Sequence, residues 1–222
     1  MRLTGGASLT CLATALLAFY LPLPQGQSAQ TSVADRVVSF HITNGRFARA
    51  RVKLSDLNVS TGFERSDGDE DEPVINVSKD NVRLQDVLDE IVRQYPLYTW
   101  KVTNGVVDFI PAQSRSPALR EILDAHIERF SPGNNLNQRE LAEAIVALPE
   151  VQTLLKAHKL TPWRIEGLGI FPSGFAGKDR DLSVFDTDVR SILNGIVSGT
   201  NKSWSASIMR NHDGDELFLG FW

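Results

Sequence analysis

Cysteine is nearly missing from this chain: among 222 residues only Cys11 carries a thiol. It lies within an apolar N-terminal segment, so the part that follows is expected to fold without disulfides, thiolate metal sites or a cysteine nucleophile. Basic charge is not concentrated either. Lys and Arg number 23 against 27 Asp and Glu, a net charge of −4. No basic block offers a phosphate-binding surface, which argues against nucleic acid as a partner. With 42% apolar residues a packed core is expected and wholesale disorder is not.

The N-terminal segment contains Arg2 and then an uncharged run, "LTCLATALLAFYLPLP", Leu9 to Pro24. It reads as a secretory signal peptide, residues 1–30, because the run is short for a span of roughly 20 apolar residues and ends in prolines. Small Ser28 and Ala29 suit cleavage after Ala29 or Gln30. A retained membrane anchor is the alternative. Thr10 before Cys11 and the apolar run after it speak against a lipoprotein. Loss of Arg2 takes the net charge from −4 to −5. An exported chain without disulfides fits a bacterial envelope, periplasmic or extracellular, with no membrane span after leader cleavage. Three Asn-x-Ser sequons at Asn58, Asn76 and Asn201 keep a eukaryotic origin open.

Helical periodicity reveals an internal repeat. Leu84, Val87, Leu88, Ile91 and Val92 form one apolar stripe, and Val189, Ile192, Leu193, Ile196 and Val197 fall at the same offsets. Asp80 and Asn81 before the first stripe, and Asp186, Thr187 and Asp188 before the second, are candidate helix caps. Strand-like "PVINVS" and "DLSVF" precede them, and a tryptophan opens a hairpin after each, Trp100 and Trp204. The first hairpin, Leu97 to Pro111, turns at Asn104-Gly105, a pair suited to a type I′ turn. A weaker copy lies upstream: "VVSFHITNG" as strand, Phe47, Ala50 and Leu54 on a helix, and "STGFER" as a return strand.

The expected fold is α+β: repeated β-α-β-β units, with small sheets covered on one face by helices, joined by a helical bridge. The segments are 33–113, a bridge over 114–162, and a second unit over 163–222. In the bridge, Pro117 starts a helix presenting Leu119, Ile122, Leu123, Ile127 and Phe130. A second helix carries Leu141, Ala144, Ile145 and Leu148, and "EVQTLLKAHKL" forms a third. The C-terminal aromatics Phe218, Phe221 and Trp222 read as a last sheet strand. The helices exclude an outer-membrane barrel.

Reactive constellations are hard to find. His126 falls at the edge of a helical stripe and reads as a partly buried packing residue. His158 ends a helix, His41 points outward from a half-buried strand, and His212 lies in a hairpin loop. None has the spacing of a zinc-binding helix. "SDGDEDEP", Ser66 to Pro73, has alternating acids but lacks the sixth-place glycine of a calcium loop. "GIVSGT" does not make a nucleophile elbow around Ser198, and "GLGIFPSGFAG" opens no phosphate-binding helix. No cofactor and no enzymatic activity are therefore expected. Trp100 and Trp204 are the candidate ligand-stacking residues for a small molecule or glycan. The preferred reading of both is as lids, since each lies beside an apolar helix stripe that it can cover. A hydrolase built on His126, His158 or His212 is a third reading.

The segment "INVSKDNVRLQDVLDEIVRQYPLYTWKVTNGVVDFIP" is similar to the secretin and TonB short N-terminal domain. The similarity rests on Leu84, Val87, Leu88, Asp89, Ile91, Val92, Trp100, Gly105, Val106, Val107, Phe109 and Pro111. It extends over residues 33–113, with a looser second copy at 180–222. The resemblance implies a module that docks other envelope proteins. The module is expected to stand apart from a secretin pore or receptor barrel, which the 222 residues do not include. The expected function is thus an exported, non-enzymatic docking module, with a small-molecule or glycan-binding periplasmic protein as the alternative.

Overall fold

The computed structural model describes residues 32–66, 72–113, 115–163, 181–212 and 214–222. The leader, most of the acidic run after Ser66 and the glycine-rich segment 167–177 lie outside the described residues. The chain is α+β. Its order is β1 (Val37–Arg46), α1 (Phe47–Asp56), β2 (Thr61–Glu64), β3 (Val74–Arg83), α2 (Leu84–Gln94), β4 (Tyr98–Thr103) and β5 (Val106–Pro111). There follow α3 (Pro117–Leu123), β6 (His126–Phe130), α4 (Gln138–Val146), α5 (Pro149–Ala157) and β7 (Thr161–Pro162). Last come β8 (Val184–Asp188), α6 (Val189–Val197), β9 (Ser203–Asn211) and β10 (Gly214–Phe221).

Six strands form the central sheet in the order β4-β5-β2-β9-β10-β7, while β1-β3 and β6-β8 are separate two-stranded ribbons. The strand before α2 or α6 therefore leaves the sheet that its hairpin joins, unlike the β-α-β-β unit expected. What corresponds between the two parts of the chain is a wider pairing scheme. β1 pairs antiparallel with β3 as β6 does with β8. β4 pairs antiparallel with β5 as β9 does with β10. β2 lies parallel to β5 as β7 lies parallel to β10. A parallel pairing of β2 with β9 joins the two sets into one sheet.

Successive residues of β5 show how the core divides: Val106 belongs to one hydrophobic cluster and Val107 to the other. Side chains alternate across a strand, so the sheet is covered on both faces rather than the one face expected. One cluster holds Phe47, Leu54, Leu84, Leu88, Ile91 and Phe109, from α1, α2 and their strands. The other holds Leu119, Ile122, Leu141, Leu155, Leu193, Ile196 and Trp204.

The stripes on α2 and α6 face inward as expected, with Leu84, Val87, Leu88 and Ile91 fully buried and Val92 half-buried. Their caps differ from expectation. Asp188 accepts from Ser191 N–H at α6, but α2 begins after Arg83 with no side-chain cap. Asp80 and Asn81 lie in β3 instead, and Asn81 takes φ 51°. Asn44 and Asp186 take the same left-handed φ, each three residues before α1 and α6 as Asn81 is before α2. These are residue types that tolerate that conformation. They bend the strand into the helix. The Asn104-Gly105 turn has φ 54° and 76°, as a type I′ turn requires.

The stretch 114–162 is not wholly helical. α3 stops at Leu123, and Ile127 and Phe130 are buried from a strand, β6, whose partner β8 is remote in sequence. Their spacing satisfied a helical period only by coincidence. Leu148 is the N-cap of α5, where Pro149 takes a first-turn position, rather than a residue of α4.

Candidate functional site

Trp100 and Trp204 stand in matching local settings. Each indole N–H donates to the helix residue five places after the helix start, Trp100 to Asp89 Oδ1 at 2.9 Å and Trp204 to Asn194 Oδ1 at 2.6 Å. They are not brought together: Trp204 is completely buried in one cluster, and half-buried Trp100 packs at the rim of the other.

The histidines are dispersed. His126 is exposed rather than partly buried, 3.6 Å from Asp186, because it sits on the outward side of β6. His158 caps the end of α5 and reaches Glu121 at 2.8 Å. His41 bonds Ser78 Oγ through Nδ1 and Asp80 Oδ1 through Nε2, both at 3.0 Å, on the exposed face of the β1-β3 ribbon. Water competes there for the same bonds. His212 is in the turn between β9 and β10. Among the described residues no three His, Cys, Asp or Glu side chains are placed to hold a metal ion.

The most developed polar constellation is one that sequence motifs did not single out. Gly62, in the middle of β2, is flanked by Asp108 on β5 and Trp204 on β9. A Cβ at Gly62 would lie 2.2 Å from Asp108 Oδ1 and 2.5 Å from the indole, so glycine alone leaves room for both. Asn194 on α6 spans the gap, donating from Nδ2 to Asp108 Oδ2 at 2.8 Å while accepting from Trp204. Asp108 is fully buried, and its Oδ1 has no hydrogen-bond partner among the described residues. Burial pushes its carboxyl above the ordinary range against the Asn194 hydrogen bond and the charge of Arg190, which pull it down.

Two residues along β2, buried Glu64 accepts from Arg115 at 2.6 and 2.9 Å and from Arg190 at 2.5 Å. Asp124 lies 3.6 Å from Arg115 and 3.8 Å from Arg190. Ser60 donates to Val197 O at 2.7 Å, and the Thr61 and Ser203 hydroxyls meet at 2.8 Å. This buried seam ties β2 and β5 to α6 and β9. Its work is positional, since neither Asp108 nor Glu64 is exposed. One sign was present in the sequence: Asp108 fills the variable place of "G-V-V-x-F-I-P", a lone acid in an apolar strand. Glu64, Arg115 and Arg190 gave no such sign, because their meeting depends on strand order.

Two surface features remain. A groove of about 450 Å³ runs between α4 and β10, lined by Arg139, Glu143, Trp163, Phe218 and Trp222 among others. The second is the outer edge of β4, an end strand of the central sheet with β5 as its one partner among the described residues. A two-residue turn closes on the hydrogen-bonded pair Thr103 and Val106. By alternation, Trp100 and Val102 turn their peptide groups away from β5. Among the described residues no helix is long and apolar enough to cross a membrane. Comparisons with family models, with curated proteins and with solved structures return no match.

Proposed function

We propose that this protein is an exported, non-enzymatic docking module of the cell envelope, binding another protein through its sheet edge. The observation that carries the reading is the outer edge of β4, a six-residue strand that ends the central sheet with β5, on its inner side, as its one strand partner among the described residues. Such an edge presents a row of peptide N–H and C=O groups that an extended segment can complete. The leader-like N-terminus and the similarity to the short N-terminal domain of secretins and TonB-dependent receptors support an envelope setting. The buried seam supports a rigid platform for docking.

The test is site-specific photo-crosslinking of the full chain in the envelope of the cell that makes it. A crosslinker at exposed Thr99 or Lys101 on β4 is expected to capture a defined protein, whereas one at exposed Lys156 on α5 is not. Val102→Pro, which removes an outward N–H, should abolish capture. Equal capture from Lys156, or none from either β4 position, overturns the docking reading.

A further inference from the structure

The central sheet contains a worked example of how the β4 edge is completed. β4 and β9 hold matching positions. Each follows a striped helix, pairs antiparallel with the next strand, and carries a tryptophan bound to that helix at the same place. The other edge of β9 accepts β2 in parallel, with Thr61 opposite Ser203, Gly62 opposite Trp204 and Phe63 opposite Ser205. Lys202 O accepts from Thr61 N–H at 3.3 Å, and Ala206 O accepts from Arg65 N–H at 2.9 Å. Counted from the tryptophan, Lys202 and Ala206 correspond to Tyr98 and Val102. The edge that β9 gives to β2 is therefore the edge on which β4, at Trp100 and Val102, has no strand partner among the described residues.

Resting on the docking reading above, we propose that β4 receives a short strand of a partner protein in parallel, with glycine opposite Trp100. The strand repeats the seating of β2 on β9. Orientation follows from the β2-β9 pairing, since the incoming strand must offer its N–H groups to the outward carbonyls around Trp100. The glycine follows from clearance. A Cβ at Gly62 would stand 2.5 Å from the Trp204 indole, which Asn194 holds upright. The Trp100 indole is held by Asp89 in the same manner, so a larger residue opposite it would collide likewise. The chain's own β2 segment is thus a model for the ligand.

The probe is a synthetic peptide with the sequence of residues 58–66, "NVSTGFERS", carrying a nitroxide at its N-terminus, titrated into the isotopically labelled full chain. Shifts are expected at β4 amides, with broadening strongest near Tyr98 and Thr99 and weakest near Asn104. An analogue with valine in place of the glycine should bind at least tenfold more weakly, as should the native peptide to the Val102→Pro protein. Broadening strongest at the Asn104 end, equal binding of the valine analogue, or unshifted β4 amides at millimolar peptide would each overturn the proposal. If that happens while the Lys101 crosslink still captures a partner, docking at β4 stands and only the parallel, glycine-dependent mode falls.

Discussion

Trp204 donates its indole N–H to Asn194 Oδ1 at 2.6 Å, across a sheet position that Gly62 leaves empty. The same amide donates to Asp108 at 2.8 Å, so one α6 side chain satisfies groups from two strands. Asn194→Ala strands both groups in a buried site and is expected to destabilise the protein by about 2–4 kcal/mol, read from urea unfolding. Trp100→Phe should cost less than Trp204→Phe, because the Trp100 bond is at the surface, where water can replace it.

Gly62→Ala tests the clearance directly. The new Cβ would stand 2.2 Å from Asp108 and 2.5 Å from the indole. A loss of about 3 kcal/mol is expected, since a central strand can shift little. Thermal unfolding of the variant beside Gly195→Ala, where a Cβ meets nothing within 4 Å, separates crowding from a general glycine effect. Gly195→Ala should unfold no earlier than the parent, because alanine favours the helix.

Glu64→Gln removes the negative charge between Arg115 and Arg190, both held at hydrogen-bond distance. Arg190 is buried, and half-exposed Asp124 at 3.8 Å then offsets its charge only in part, so a loss of about 3 kcal/mol is expected from chemical denaturation. Exposed pairs behave differently: Glu143→Gln, which breaks the solvent-facing pair with Arg139, should fall within ~0.5 kcal/mol of the parent.

The raised carboxyl of Asp108 gives a signed pH dependence. The folded state holds this proton more tightly than the unfolded state. Its contribution is therefore favourable at low pH and is lost as pH rises from the unfolded value through the raised folded one. Against Asp108→Asn, which does not titrate, the parent should gain stability as pH falls from neutral toward 4. Urea midpoints of both proteins at several pH values provide the check. A constant difference between them contradicts the prediction.

Asn81 has φ 51° just before α2. Asn81→Ala should cost about 1 kcal/mol through left-handed strain, while Asn81→Gly should be nearly neutral. Circular-dichroism melts of the two variants test this. Asn44 and Asp186, at the equivalent bends, should show the same order.

The stripes of α2 and α6, the Asn104-Gly105 turn and the helix around Phe47, Ala50 and Leu54 were legible because each depends on residues within one or two turns. Ile127 and Phe130 were misread for the opposite reason. Their spacing suits a helix as well as two buried positions on a strand, and only pairing with β8 decides. His126 changed from partly buried to exposed with that same change of period.

The sequence by itself determined which residues are apolar and at what period, and so where most helices and hairpins form. It did not distinguish bends from caps: Asn81 and Asp186 suit a helix cap as well as a left-handed bend, and the positive φ emerged only with the structure. Tertiary structure alone decided that β2 lies between β5 and β9. That placement brings Asp108, Gly62 and Trp204 into one row and sets Glu64 between two arginines. It also leaves β4 at the end of the sheet. Strand order follows from the balance of burial over the whole core, and local periodicity carries no information about it.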